Sequence, residues 1–190
     1  RPDSDHRFGI AAIAFGTVVQ NQGTSAESCR VRWQIIDRSG KVIGSADSPA
    51  QSVPPDSSVT FTASASLSNP APWSPETPNL YSAVATVEAA GKTRDAERVT
   101  FGVRTIAWDP DKGFFLNGKR VEIKGTCNHQ DHAGVGAALP DRLQWYRLAV
   151  LKDMGGNAVR TSHNMPTPEW VEACDHMGMM MMCETRQMSS

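Results

Sequence analysis

The chain has 190 residues, with 19 Lys and Arg against 20 Asp and Glu. That length holds one or two domains, and the balanced charge gives no reason to expect nucleic acid or an anionic membrane as partner. No apolar run approaches the roughly 18 residues a spanning helix needs, and the four cysteines (Cys29, Cys127, Cys174, Cys183) lack C-x-x-C spacing and read as free, mostly buried thiols.

Residues 1–106 read as all-β. An apolar run from Ile10 leads through Thr17 to a turn at residues 21–23. Residues 29–36 alternate with period two and place Cys29, Val31, Trp33 and Ile35 on one face. Further short strands are predicted around residues 41–43, 59–62, 81–88 and 97–101, separated by Gly, Pro and Asp turns. About seven short strands of this kind imply an immunoglobulin-like two-sheet sandwich. Trp33 is expected in its core, and nothing in this half points to catalysis.

Residues 107–190 change character. Asn117-Gly118 between two apolar runs is a hairpin signal. The alternating residues 120–123 read as a strand that ends in KGTCNHQDH (124–132) and opens into the glycine-containing residues 133–136. A helix follows from Pro140-Asp141, with Leu143, Tyr146, Leu148, Val150 and Leu151 as its apolar positions and Gly155-Gly156 as its stop. Residues 157–161 read as a short strand. Thr167-Pro168 open a second helix, which ends at Gly178, and the apolar residues 179–183 read as a buried parallel strand. Strand, helix, strand, helix, strand implies parallel strands covered by helices. In a (β/α)8 barrel the functional groups gather at the C-terminal strand ends. Three polar clusters fall there: Asn128 to His132, Arg160 to Asn164, and Glu184 to Arg186.

Several longer motifs occur in order: WSPETPNLY (73–81), FGVRT (101–105), GFFLNG (113–118), KGTCNHQDH and NAVRTSHN (157–164). Together they resemble glycoside hydrolase family 2, which includes β-galactosidases, β-glucuronidases and β-mannosidases. NHQDH with RTSHN is most similar to the β-galactosidase-like members. The resemblance implies a sandwich domain over residues 1–106 and the first three β/α units of a TIM barrel over 107–190. It also implies a retaining glycosidase whose acid/base and nucleophile are both glutamates, about 5 Å apart. The acid/base belongs to an Asn-Glu pair, which this sequence lacks. The resemblance therefore makes the chain an internal fragment, with no catalytic residue of its own and no activity alone.

For the complete enzyme the resemblance implies hydrolysis of terminal β-D-galactosides or related β-glycosides. A β-glucuronidase- or β-mannosidase-type parent and a non-catalytic carbohydrate-binding module stand as alternatives. Asp131 is the first candidate for sugar contact and His163 the second. Asn164, His129 and Glu184 are further substrate-binding candidates, with Arg160 and Asn128 in support. Each of these could instead only bond its neighbours and fix a loop. Cys183 stands where the family often has aspartate. No metal ligand is assigned and no cofactor is required of this stretch, with magnesium or sodium left open for the parent. The expected partner is a β-galactoside-type carbohydrate, together with homo-oligomer formation or self-association through open barrel edges.

Overall fold

The computed structural model describes residues 9–185. Internal packing divides the chain into two units. The first runs to Ala71 and resumes over Leu80–Val103; the second takes Pro72–Asn79 and resumes at Arg104.

The first unit is built from β1 (Ile10–Asn21), β2 (Glu27–Ile36), β3 (Val42–Asp47), β4 (Gln51–Val53), β5 (Ser57–Ser68), β6 (Tyr81–Ala89) and β7 (Lys92–Phe101). β1 and β5 pair antiparallel over their full length as one sheet. The other sheet has the order β3-β2-β6-β7, with β4 also on β2. Alternation along β2 buries Cys29, Val31, Trp33 and Ile35, as its period-two pattern requires. Trp33 stacks on Phe15 of the facing sheet, with centroids 5.5 Å apart. Phe61 and Leu67 of β5 and Tyr81 and Ala83 of β6 complete the core. The sandwich is thus confirmed. Its edge strand β7 carries Lys92, Arg94, Asp95, Glu97 and Arg98 and is exposed from Lys92 through Thr100. Such charge on an edge discourages strand addition.

The second unit begins with a small antiparallel sheet, β8 (Ile106–Asp109), β9 (Gly113–Leu116) and β10 (Lys119–Arg120). Asn117 and Gly118 turn the β9–β10 hairpin with φ of 52° and 75°. Two consecutive positive φ values are what a type I′ turn needs, and Asn-Gly supplies them. β8 escapes a reading by apolar pattern because its strand is only four residues long and mostly exposed.

Three parallel strands follow, in the order β11-β12-β13: β11 (Gly125–Asn128), β12 (Ala158–Thr161) and β13 (Met180–Met182). Helices α1 (Asp141–Asp153) and α2 (Pro168–Met177) connect them. These are barrel-type β/α units. The first barrel strand lies within KGTCNHQDH, not in residues 120–123 before it. Pairing explains the shift. Gly125 lies opposite Ala158, and a Cβ on Gly125 would stand 2.7 Å from the Ala158 carbonyl oxygen. The glycine is therefore where the two backbones close up. The Asn157 side chain ties down the approach, accepting from Lys124 N (2.8 Å) and donating to Glu122 O (2.9 Å).

Helix α1 corrects a second expectation. Tyr146 is 60% exposed and Val150 39%. The inner stripe is Gln144, Leu148 and Leu151, at helical spacing i, i+4, i+7. Gln144 can sit there because its side-chain oxygen accepts from the Thr167 hydroxyl at 3.1 Å. Thr167 caps α2, its Oγ1 accepting from Trp170 N, and Gly178 closes that helix with φ of 70°. Leu148, Val159, Trp170, Ala173, Cys174 and Met179 form the core between sheet and helices. β13 is shorter than residues 179–183, and Met182 at its end is 61% exposed.

Residues 72–79 fold with this second unit. Trp73 is 2% exposed and donates its indole N–H to Asp175 O of α2 at 2.8 Å. Asn117 donates to Trp73 O at 3.0 Å. The Arg104 guanidinium lies 4.9 Å from the ring centroid. Lys152 of α1 donates to Pro75 O at 2.8 Å and also to Met177 O.

Candidate active-site wall

Parallel pairing brings the ends of β11, β12 and β13 to one edge of the sheet, and the side chains there alternate between its two faces. Val159 points to the helices and joins the core. Arg160, the next residue, takes the other face, as does its register partner Cys127. The Arg160 Nη1 donates to Cys127 Sγ at 3.4 Å, and its Nε pairs with Glu184, just beyond β13. Glu184 also receives the His163 ring nitrogen Nδ1 at 2.8 Å. An ionised carboxylate only accepts, so Nδ1 carries the proton. In the neutral ring Nε2 is then left as an acceptor on an exposed imidazole. His129, just beyond β11, stands edge-on to His163 with centroids 5.6 Å apart. The Glu184 backbone N–H donates to Thr161 Oγ1 at 2.9 Å, which fixes the third strand end to the second.

Three ends therefore meet in one cluster of Arg160, His163, Glu184 and His129. Glu184 is its hub. The hydrogen bond from His163, with the charge of Arg160 behind it, holds the Glu184 carboxyl below the usual carboxylate range. A carboxylate held ionised in this way suits accepting hydrogen bonds and orienting neighbours; it does not suit delivering a proton. The stability it contributes is fully present above the ordinary glutamate pKa of about 4.3 and is lost as pH falls through the lowered folded value. We expect the melting temperature of the chain to drop between pH 5 and pH 3 by more than that of Glu184→Gln. Parallel pH curves for the two proteins would show that Glu184 titrates as it does in the unfolded chain.

The other candidates lie around this hub. Asn128 ends β11, and its Oδ1 accepts from the Thr126 hydroxyl at 2.9 Å. Asn164 donates to the neighbouring Met165 carbonyl at 2.8 Å. Asn128, His129 and Asn164, with Thr161, Arg147 and Trp170, line a cleft of about 210 Å³ beside the strand ends. Asp131 is exposed on the loop after β11, and no side-chain hydrogen bond holds it among the described residues. Its charge acts on Arg147 of α1, partly offsetting the burial that lowers the pKa of that guanidinium. Arg147 also donates to His129 O at 2.7 Å and lies over the Trp170 ring. It thereby anchors the first residue of the loop that carries Asp131. Among the described residues no three His, Cys, Asp or Glu side chains are placed to hold a metal ion.

Arg147 was not expected here, and Cys127 and Thr161, though within the strand-end motifs, were assigned no role. Cys127 could have been found by counting, since register alternation puts it on the face of Arg160. Arg147 carries no such signal, because its role depends on how the loop after β11 returns over α1. The expectation of mostly buried thiols holds for Cys29 and Cys174, while Cys127 and Cys183 are exposed.

Comparison with known proteins agrees with this architecture. Residues 1–104 match the family described as glycosyl hydrolases family 2, and residues 110–190 match its TIM barrel domain. A β-galactosidase of Bacteroides ovatus is 33% identical over 178 residues, covering 94% of this chain and 21% of that protein. A β-glucuronidase of Formosa agariphila is 27% identical over 170 residues, covering 88% of this chain and 17% of that one. Among solved structures, a β-glucuronidase from glycoside hydrolase family 2 superposes with a TM-score of 0.90 at 25% identity, covering all of this chain and 20% of its own. The chain thus spans about a fifth of the length of these relatives. A sandwich followed by parallel β/α units, with both parts matched in order, places this chain in glycosyl hydrolases family 2.

Proposed function

We propose that this stretch is the glycone-binding wall of a retaining glycosidase acting on terminal β-D-galactosides or related β-glycosides. The observation that carries the proposal is the Arg160–Glu184–His163 cluster, with His129 beside it, at the C-terminal ends of three parallel strands. Asp131 and the free His163 Nε2 offer acceptors to sugar hydroxyls. His129, Asn128 and Asn164 line the adjoining cleft, and Arg160 holds Glu184 in place. Glu184 is kept ionised by its partners, which supports a binding role for it. The acid/base and nucleophile glutamates then belong to barrel strands other than these three.

In the full-length enzyme, Asp131→Asn and His163→Ala are each expected to lower kcat/KM for nitrophenyl β-D-galactoside by roughly ten- to a hundredfold, as lost hydrogen bonds to a charged or polar partner do. Undiminished kcat/KM in both variants removes the proposal. The relatives named β-glucuronidase support the second reading, a glucuronide as substrate. A higher kcat/KM for nitrophenyl β-D-glucuronide than for the galactoside would favour it.

The 190-residue chain alone is expected to release no nitrophenol from the galactoside; turnover by the pure chain would contradict that. β11 and β13 each pair on one side only among the described residues, so the chain is also expected to self-associate through these edges. Sizing across a concentration series checks this, and a monomer throughout would show the edges to be covered.

A further inference from the structure

We propose that Cys127 is a modification site, a reactive thiol that takes soft carbon electrophiles at the mouth of the strand ends. The sugar-binding reading makes no use of this sulfur, and the inference stands without it. Three features meet at Cys127 and at no other cysteine among the described residues. It is exposed at the end of β11, where a reagent can reach it. Its sulfur lies 3.4 Å from the Arg160 Nη1, a permanent cation that stabilises a thiolate. The third feature is Ser162, only 1% exposed, whose hydroxyl has no hydrogen-bond partner. No hydrogen bond joins that hydroxyl to the thiol, yet it is the first cause lowering the Cys127 pKa. A buried donor left unsatisfied by a thiol is satisfied by a thiolate, the stronger acceptor.

The surroundings include opposing charge. Glu184 shares Arg160 and raises the thiol pKa, and His163 on β12's exit pairs with Glu184 and draws on the same carboxylate. The Ser162 hydroxyl and then Arg160 outweigh it, and the Cys127 pKa falls below the ordinary thiol value. Burial acts the other way on Cys29 and Cys174, raising both, with Cys174 pushed up to about 12. Cys183 is exposed too, but among the described residues no guanidinium hydrogen-bonds to it. With a haloacetamide, the Cys127 thiolate sulfur attacks the halogen-bearing carbon. The S–C bond forms as the carbon–iodine bond breaks, iodide leaves, and the thiol proton has gone to solvent. The adduct takes the sulfur from Arg160 and leaves that guanidinium to Glu184 alone.

The test is a time course of iodoacetamide labelling of the whole chain at pH 7, read peptide by peptide in a mass spectrometer. Cys127 should label roughly tenfold faster than Cys183, the step expected where an adjacent cation raises the thiolate fraction of an exposed thiol. Rates are taken while Cys29 and Cys174 stay unlabelled, so that the labelling itself reports a folded chain. Arg160→Gln and Ser162→Ala should each slow Cys127 severalfold without changing Cys183. Cys127 labelling no faster than Cys183, or an unchanged Cys127 rate in both variants, overturns the proposal.

Discussion

Replacing Trp73 with alanine should destabilise the second unit by about 3–5 kcal/mol, the range for deleting a buried aromatic side chain. Trp73 is 2% exposed, and its ring is bounded by the Arg104 guanidinium and by α2. Alanine leaves a ring-sized cavity and strips the Asp175 carbonyl of its indole partner. Trp73→Phe separates the two losses. It keeps most of the apolar area and gives up only the N–H, so about 1–3 kcal/mol should go. Amide exchange reads the result locally. Protection in β11, β12 and β13 should fall in step with these values, while β2 and β6, in the other unit, keep theirs. An alanine variant with unchanged exchange in β12 would show that the Trp73 segment contributes nothing to the barrel strands.

Gly178→Ala is expected to cost about 3 kcal/mol, by a different route. Gly178 closes α2 with φ of 70°, where an L side chain costs about 1–2 kcal/mol. The added Cβ would also stand 2.4 Å from the Pro75 carbonyl oxygen. That contact is with backbone, so one chain must move, and forced overpacking of this kind costs typically about 1–3 kcal/mol. The same carbonyl accepts from Lys152, so its displacement also disturbs α1. Urea unfolding measures the sum. Gly155→Ala is the control: it has φ of 87° but nothing within 4 Å of an added Cβ, so it carries the conformational cost alone. Equal losses in the two variants would show that the Pro75 contact relaxes freely.

The sequence made the architecture legible where local rules and burial agree. β2 alternates because one face is core, and Thr167-Pro168 and Gly178 delimit α2 because caps are local chemistry. The errors arose where partners distant in the chain decide. Residues 120–123 alternate like a strand, yet the strand forms at Gly125, where only glycine lets Ala158 approach. Tyr146 and Val150 are apolar but lie off the stripe that Gln144 occupies, and Gln144 is acceptable there only because Thr167 meets it. The same holds at the strand ends. That three polar clusters share a rim follows from the β/α alternation. That Glu184, rather than Asp131, is the hub follows from side-chain directions that spacing does not encode.

The segment at residues 72–79 bears on how such chains can be recombined. A crossover between two relatives is tolerated where it separates few contacting residues. The sequence motifs suggest a joint near residue 106, between sandwich and barrel. A single crossover there would take Trp73 and Pro75 from one parent, and Asp175, Lys152 and Gly178 from the other. Chimeras should therefore keep their stability when residues 72–79 are inherited together with the barrel, by two further breakpoints inside the sandwich sequence. The unit of exchange is interrupted in the gene but continuous in space.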